Sequence, residues 1–285
     1  MEEQSNITKV FCKSEYDTLK RVLLCQPQYM TIRQVINETQ EHFKEEGIHI
    51  ERALEQHAEF VNTLKNYDID VILLPYHKKY PEQVFTRDIG FTLGETIFVA
   101  NMATDARSGE EDVLKQWLED EEISYFNLVK EKIEGGDVII DRDTIYVGLS
   151  NRTDEKATAH IKRLMNNFNV VTIPFKERYL HLDCVFNVVS PEVALIYPHA
   201  LTQEDIELFA SRYDLIEVSK EEQFQLGTNV LSIGNKRVIS LPVNKNVNEQ
   251  LRKRGFEVIE VDITEIIKSG GSFRCCTLPI LREGS

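Results

Sequence analysis

Apolar residues along the chain fall into one recurring order: two short runs around a polar turn, an amphipathic stretch, and a third short run. In "DVIIDRDTIYVGLS" two apolar runs flank the polar "DRD", the pattern of two strands joined by a turn. "DEKATAHIKRLMNNF" follows, with Ala157, Ile161, Leu164 and Phe168 at helical spacing, and "VVTIP" closes the unit as a strand. The order returns in "CVFNVVSPEVALIYP", "EDIELFASR" and "LIEV", and again in "NVLSIGNKRVISLP", "VNEQLRKRG" and "FEVIEV". Upstream, "DIGFTLGETIFVAN" leads into "EDVLKQWLED", where Val113, Leu114, Trp117 and Leu118 form one apolar face. A looser first copy runs from "KRVLLCQP" through a long helix around Leu54, Ala58 and Val61 to "DVILLP".

The pattern therefore predicts five units of strand, strand, helix and strand. None buries its apolar face alone, so the five are expected to pack around a common centre. No linker-like or low-complexity stretch separates them, and residues 1–285 read as a single domain.

Charge narrows the partners. The chain has 33 basic and 47 acidic residues, a formal net charge of −14. That disfavours nucleic acid and anionic membranes and mildly favours a small cation. No apolar run approaches the ~20 residues of a membrane span. The start "MEEQSNITKV" is polar and acidic, unlike a signal peptide. Five cysteines at irregular spacing speak against a disulfide framework, so the expected setting is the reducing cytoplasm.

The polar residues that open the units carry the chemistry. "FTRD" ends at Asp88, "IEGGD" holds Glu134, "HLD" begins at His181, and a cysteine pair begins at Cys275. Glu134 lies 46 residues after Asp88, His181 lies 47 after Glu134, and Cys275 lies 94, twice 47, after His181. Singly, an Asp in a loop is a turn or cap, a buried His is a core residue, and a Cys is an inert apolar filler. Their common phase changes the balance, because in-phase positions of a closed ring face one axis. The fourth unit's equivalent falls at Thr228 and Asn229.

Two carboxylates, an imidazole and a thiol at one centre need a cation, since unpaired buried carboxylates cost several kcal/mol. A guanidinium fits: it is planar, permanently charged, and offers its edges to carboxylates in bidentate pairs. Its central carbon stays open to a thiolate, and bound positive charge lowers the thiol pKa. His181 then protonates the leaving nitrogen and activates water. Asp183, two residues on, is a second clamp if this stretch is extended. No compact metal-ligand motif appears, and a thiol with scattered acids suits no single metal well.

Together "FTRD", "IEGGD", "YVGLSNRT", "HLD" and "GGSFRCCTLP" resemble the guanidino-group-modifying enzymes of the pentein superfamily, across nearly the whole chain. The resemblance implies a five-bladed α/β-propeller, an α/β fold with its site in a central pocket. It makes Cys275 the nucleophile and Cys276 a packing residue, His181 the acid–base group, and Asp88 and Glu134 the guanidinium clamps. It implies a covalent S-alkylthiouronium intermediate, a ureido product, and no metal or organic cofactor. Arg107, 19 residues after Asp88, and Arg152 in "GLSNRT" match carboxylate-binding arginines, which favours arginine or a methylated arginine over agmatine.

The length and "GGDVIIDRDTIYVGLSNRT" look like dimethylarginine dimethylaminohydrolase, whereas "FTRD" and His-x-Asp look like arginine deiminase. The expected function is a cysteine hydrolase of a guanidino amino acid. An amidinotransferase, with an amine replacing water, is the alternative, and a non-catalytic pentein binding protein is the remote one. A homo-oligomer is compatible with all three.

Overall fold

The computed structural model describes residues 9–284. Among them are five three-stranded sheets, and each follows one scheme. In the second sheet Gly90–Leu93 runs antiparallel to Thr96–Val99, which runs parallel to Tyr125–Asn127 after the Glu111–Asp120 helix. The third sheet repeats this with Val138–Asp141, Thr144–Leu149 and Asn169–Pro174 around the Glu155–Leu164 helix. The fourth uses Phe186–Val188, Val193–Ile196 and Asp214–Glu217 around Gln203–Ala210. The fifth uses Leu231–Gly234, Arg237–Ser240 and Glu257–Glu260 around Lys245–Lys253. The tight hairpin in this last unit has Asn235 and Lys236 both at positive φ, as a type I′ turn requires.

The first sheet explains why its sequence copy was loose. Thr18–Cys25 pairs in parallel with Asp70–Leu74 across the Ile50–Asn66 helix, but its antiparallel partner is Leu278–Glu283 from the other end of the chain. The missing strand is supplied by the C-terminus, which closes the ring. Apolar clusters then fill the seams between neighbouring blades. Leu23, Ile97, Leu114 and Leu278 join the first to the second. Phe91, Phe98, Ile140 and Ile145 join the second to the third, and Leu195, Val238 and Leu251 join the fourth to the fifth. The architecture is a five-bladed α/β-propeller.

Two local expectations are corrected. The Ile50–Asn66 helix buries Ala53, Gln56, His57, Phe60, Val61 and Leu64, and leaves Ala58 exposed. Polar Gln56 belongs to the inner face because it bonds Thr264 Oγ1 at 3.0 Å and accepts from Glu265 N at 2.9 Å. The third unit's helix stops at Leu164, short of Phe168. Two asparagines, poor helix formers, follow Met165, and Asn169 already begins the next strand. No helix among the described residues is long and apolar enough to cross a membrane.

Candidate active site

Each unit contributes a loop at the point where its first strand begins. Asp88 lies two residues before the second sheet's first strand. Glu134 precedes the single 3-10 turn Gly135–Asp137, and His181 precedes a second such turn, Leu182–Cys184. These loops meet closely enough to demand glycine. A Cβ on Gly136 would lie 2.7 Å from the His181 ring, and one on Gly271 would lie 2.4 Å from Phe85 and 3.0 Å from Cys275 Cβ.

Asp88, Glu134 and His181, from three units, are all buried and share one cluster. His181 Nε2 donates to Glu134 Oε2 at 2.8 Å, and Nδ1 faces Asp88 Oδ1 at 3.6 Å. Burial alone would lower the imidazole pKa, but Asp88, the bond to Glu134 and the Asp137 charge reverse this and raise it. Glu134 moves the opposite way: burial pushes it up, and His181, Arg152 and Arg107 bring it down below the usual carboxylate range. Both shifts favour the imidazolium–carboxylate form of the pair. At 3.6 Å, Asp88 Oδ1 and His181 Nδ1 are beyond hydrogen-bond distance, and neither has another partner.

Cys275 joins this cluster through its backbone, since its carbonyl accepts from Arg87 N at 3.0 Å, next to Asp88. Its sulfur lies 3.6 Å from Asp183 Oδ2 and 3.8 Å from Oδ1. Contact with the Cys184 thiol, burial and the Asp183 charge together push the Cys275 thiol well above its ordinary value. Cys276 is also buried and sits in the main apolar cluster. The Leu182–Cys184 stretch is a helical turn rather than extended, closed by Cys184 N donating to the His181 carbonyl at 3.1 Å. Asp183 therefore faces the loop that bears Cys275, where its Oδ2 accepts from Arg274 at 2.6 Å.

The two expected carboxylate-binding arginines lie against Asp88 and Glu134. Arg107 donates to Asp88 Oδ2 at 2.5 Å, to Glu110 through both Nε (3.0 Å) and a terminal nitrogen (2.8 Å), and to the Phe85 carbonyl at 3.4 Å. Arg152 makes only long contacts, 3.4 Å each, to Glu134 Oε1, Thr104 Oγ1 and the Ile36 carbonyl. Asp88, Arg107, Glu134, Arg152, His181, Asp183 and Cys275 are all buried at the centre.

Sequence reasoning missed several supporting groups. Asp137 Oδ1 accepts from Leu182 N at 2.8 Å and fixes the His181 turn; it stood in the quoted "IEGGD" and its polarity beside paired glycines was the available signal. Glu110, held by Arg107, and Arg274, bridging Asp183 and Glu15 (3.1 Å), gave no periodic signal. Ligand atoms of Asp88, Glu134 and His181 lie within 4.8 Å of one another, a spacing that suits a metal ion. A metal ion there would need His181 as a neutral ligand, against the direction in which its carboxylate neighbours shift it, and would compete with Arg107 for Asp88.

The family model described as N,N dimethylarginine dimethylhydrolase, eukaryotic, matches residues 26–282. The uncharacterized protein YkgA of Bacillus subtilis (strain 168) is 52% identical over 274 residues, covering 96% of each chain. The bifunctional arginine dihydrolase/ornithine cyclodeaminase ArgZ of Synechocystis sp. is 29% identical over 270 residues, 91% of this chain but 37% of ArgZ. The solved N-terminal domain of ArgZ, bound to product and described as an arginine dihydrolase from the ornithine–ammonia cycle in cyanobacteria, matches with a TM-score of 0.85. Identity there is 28%, over 93% of this chain and 98% of that domain.

Proposed function

Because the chain belongs to the eukaryotic-type N,N-dimethylarginine dimethylhydrolase family, a branch of the guanidino-modifying penteins, we propose that it is a cysteine hydrolase of the guanidino group of arginine or an Nω-methylated arginine. The products are citrulline and ammonia or a methylamine. The observation that carries this reading is the imidazole held between two carboxylates of different blades, with the Cys275 loop tied beside one of them.

In this reading the substrate guanidinium enters between Asp88 and Glu134, where Asp88 Oδ1 still lacks a donor. Its charge offsets the carboxylates that hold the Cys275 thiol up, which favours the thiolate. Asp183, 3.6 Å from the sulfur, is the nearest acceptor for the thiol proton. The sulfur attacks the central carbon, and His181, already protonated, gives its proton to the departing nitrogen. Neutral His181 then takes a proton from water, the hydroxide adds to the thiouronium carbon, and the C–S bond breaks as that oxygen becomes the ureido carbonyl and releases its remaining proton to solvent. Asp183 returns its proton to the thiolate. No cofactor takes part in these steps.

The α-carboxylate falls to Arg152, whose donors are the least committed. Arg107 reaches it only by exchanging Asp88 for the incoming guanidinium.

The likeness to an arginine dihydrolase favours a second reading, in which arginine is hydrolysed twice and ends as an amine. An amidinotransferase differs in needing an amine acceptor. The test is purified protein with arginine, monomethylarginine, asymmetric dimethylarginine or agmatine. A ureido product without added amine supports the hydrolase, ornithine supports the dihydrolase, and turnover only with an amine supports the transferase. Failure to consume any guanidino compound overturns all three.

A further inference from the structure

Asn229 stands at the in-phase position that opens the fifth blade and is completely buried, yet no step above uses it. Its carboxamide oxygen accepts from two backbone N–H groups of the nucleophile loop, Ser272 at 3.2 Å and Cys275 at 3.1 Å. Its amide nitrogen donates to the Asp183 carbonyl at 3.3 Å, and its own carbonyl accepts from Arg274 N at 3.2 Å. The neighbouring Thr228 hydroxyl donates to the Cys184 carbonyl at 2.7 Å. One residue thus holds both the loop bearing Cys275 and the turn bearing Asp183, which are 92 residues apart in sequence.

We propose that Asn229 is a positioning residue for the hydrolase reaction: its carboxamide sets the separation between the Cys275 sulfur and the Asp183 carboxylate. The proposal rests on the reading of Cys275 as nucleophile. An amide is required because the position must accept two N–H groups and donate one. Aspartate accepts but cannot donate, and it brings an anion to the loop. Alanine does neither, and leaves two buried N–H groups without an acceptor.

The experiment compares wild type with Asn229→Asp, Asn229→Ser and Asn229→Ala, and with Asn248→Ala as a matched control. Asn248 is an equally buried asparagine that bonds the Leu241 carbonyl at 2.9 Å, away from the site. Three quantities are read: the alkylation rate of Cys275 by iodoacetamide from pH 6 to 10, located by mass spectrometry; kcat and KM; and the thermal midpoint. For Asn229→Asp the alkylation profile should move up by about one pH unit, because an anion now faces the thiol. Its kcat should fall roughly 30-fold with KM little changed, and Asn229→Ala should fall on the order of 100-fold, the scale of a 1 Å misplacement. Asn248→Ala should lose stability while keeping the wild-type alkylation profile and kcat.

The proposal is overturned if Asn229→Asp keeps both the wild-type profile and kcat, or if Asn248→Ala reproduces the same losses. Should Asn229→Ala fail to fold, the near-isosteric aspartate and the serine decide. If the wild type turns over no guanidino substrate, the hydrolase reading fails, and the alkylation profile alone still decides whether Asn229 positions the thiol.

Discussion

Replacing Gly136 by alanine drives one carbon into the imidazole that the glycine backs onto. The new Cβ would lie 2.7 Å from His181 Cγ and Nδ1 and 3.0 Å from Asp88 Oδ1. Ordinary contact begins at 3.4 Å, so the ring must retreat by about 0.7 Å. It has no free direction, being fully buried and bonded to Glu134 at 2.8 Å. Gly136 is not in the left-handed region, so alanine brings no backbone strain and the whole effect is this contact. Overpacking of this kind costs roughly 1–3 kcal/mol of stability. A shift approaching 1 Å in the proton donor costs on the order of 100-fold in rate, so kcat should fall by that order while KM changes little. The assay is ureido product against substrate concentration, with urea unfolding to establish that the variant is folded. A folded Gly136→Ala protein whose kcat lies within about 3-fold of wild type would refute the role given to His181.

Three further outcomes follow from the same geometry. Cys275→Ser should abolish turnover, whereas Cys276→Ala should cost about 1–2 kcal/mol of packing and stay active; a haloacetamidine label found mainly on Cys276 would reverse the assignment. Agmatine, lacking the carboxylate, should be about 30- to 1,000-fold poorer than arginine or a methylarginine in kcat/KM, a 2–4 kcal/mol loss, and Arg152→Ala should narrow that gap. Equal kcat/KM for agmatine would remove the carboxylate role. Burial, opposed only weakly by a hydrogen bond to the Cys25 backbone, pushes His57 from 6.5 down to about 4. A depressed folded-state pKa contributes stability that is full above pH 6.5 and is lost as pH falls through 4, about 3 kcal/mol in all. His57→Leu should flatten that part of the urea midpoint's pH dependence, and an unchanged slope would show that His57 is not the group responsible.

Periodicity revealed which backbone positions meet, because every blade places its opening loop at the same point on the ring. Asp88, Glu134 and His181 were legible for that reason, and Asn229 was legible as a position without a role. The closing strand Leu278–Glu283 was not, because its partner lies at the opposite end of the chain and no local pattern connects them. Nor was the turn at Leu182–Cys184, which depends on Asp137 capturing Leu182 N from another blade. Side-chain pairing was the least legible of all. Arg274 meets Glu15 across 259 residues, and nothing in 33 basic residues marks which will be buried.

The rule that a buried carboxylate must be paired led from sequence to a guanidinium ligand, and the structure satisfies that rule with the chain's own guanidinium groups. Arg107 sits on Asp88 and Arg152 beside Glu134. Charge matching alone therefore does not distinguish a substrate from an internal arginine. What separates them is reach and geometry. Arg107 is also held by Glu110, through Nε at 3.0 Å and a terminal nitrogen at 2.8 Å, so it keeps a second anchor when Asp88 is given up. A ligand that takes Asp88 exchanges one charged partner for another and leaves no carboxylate bare. Under the proposed function, that exchange is the step that would bring a guanidinium with a free carbon face, unlike the side chain it replaces, before the Cys275 sulfur.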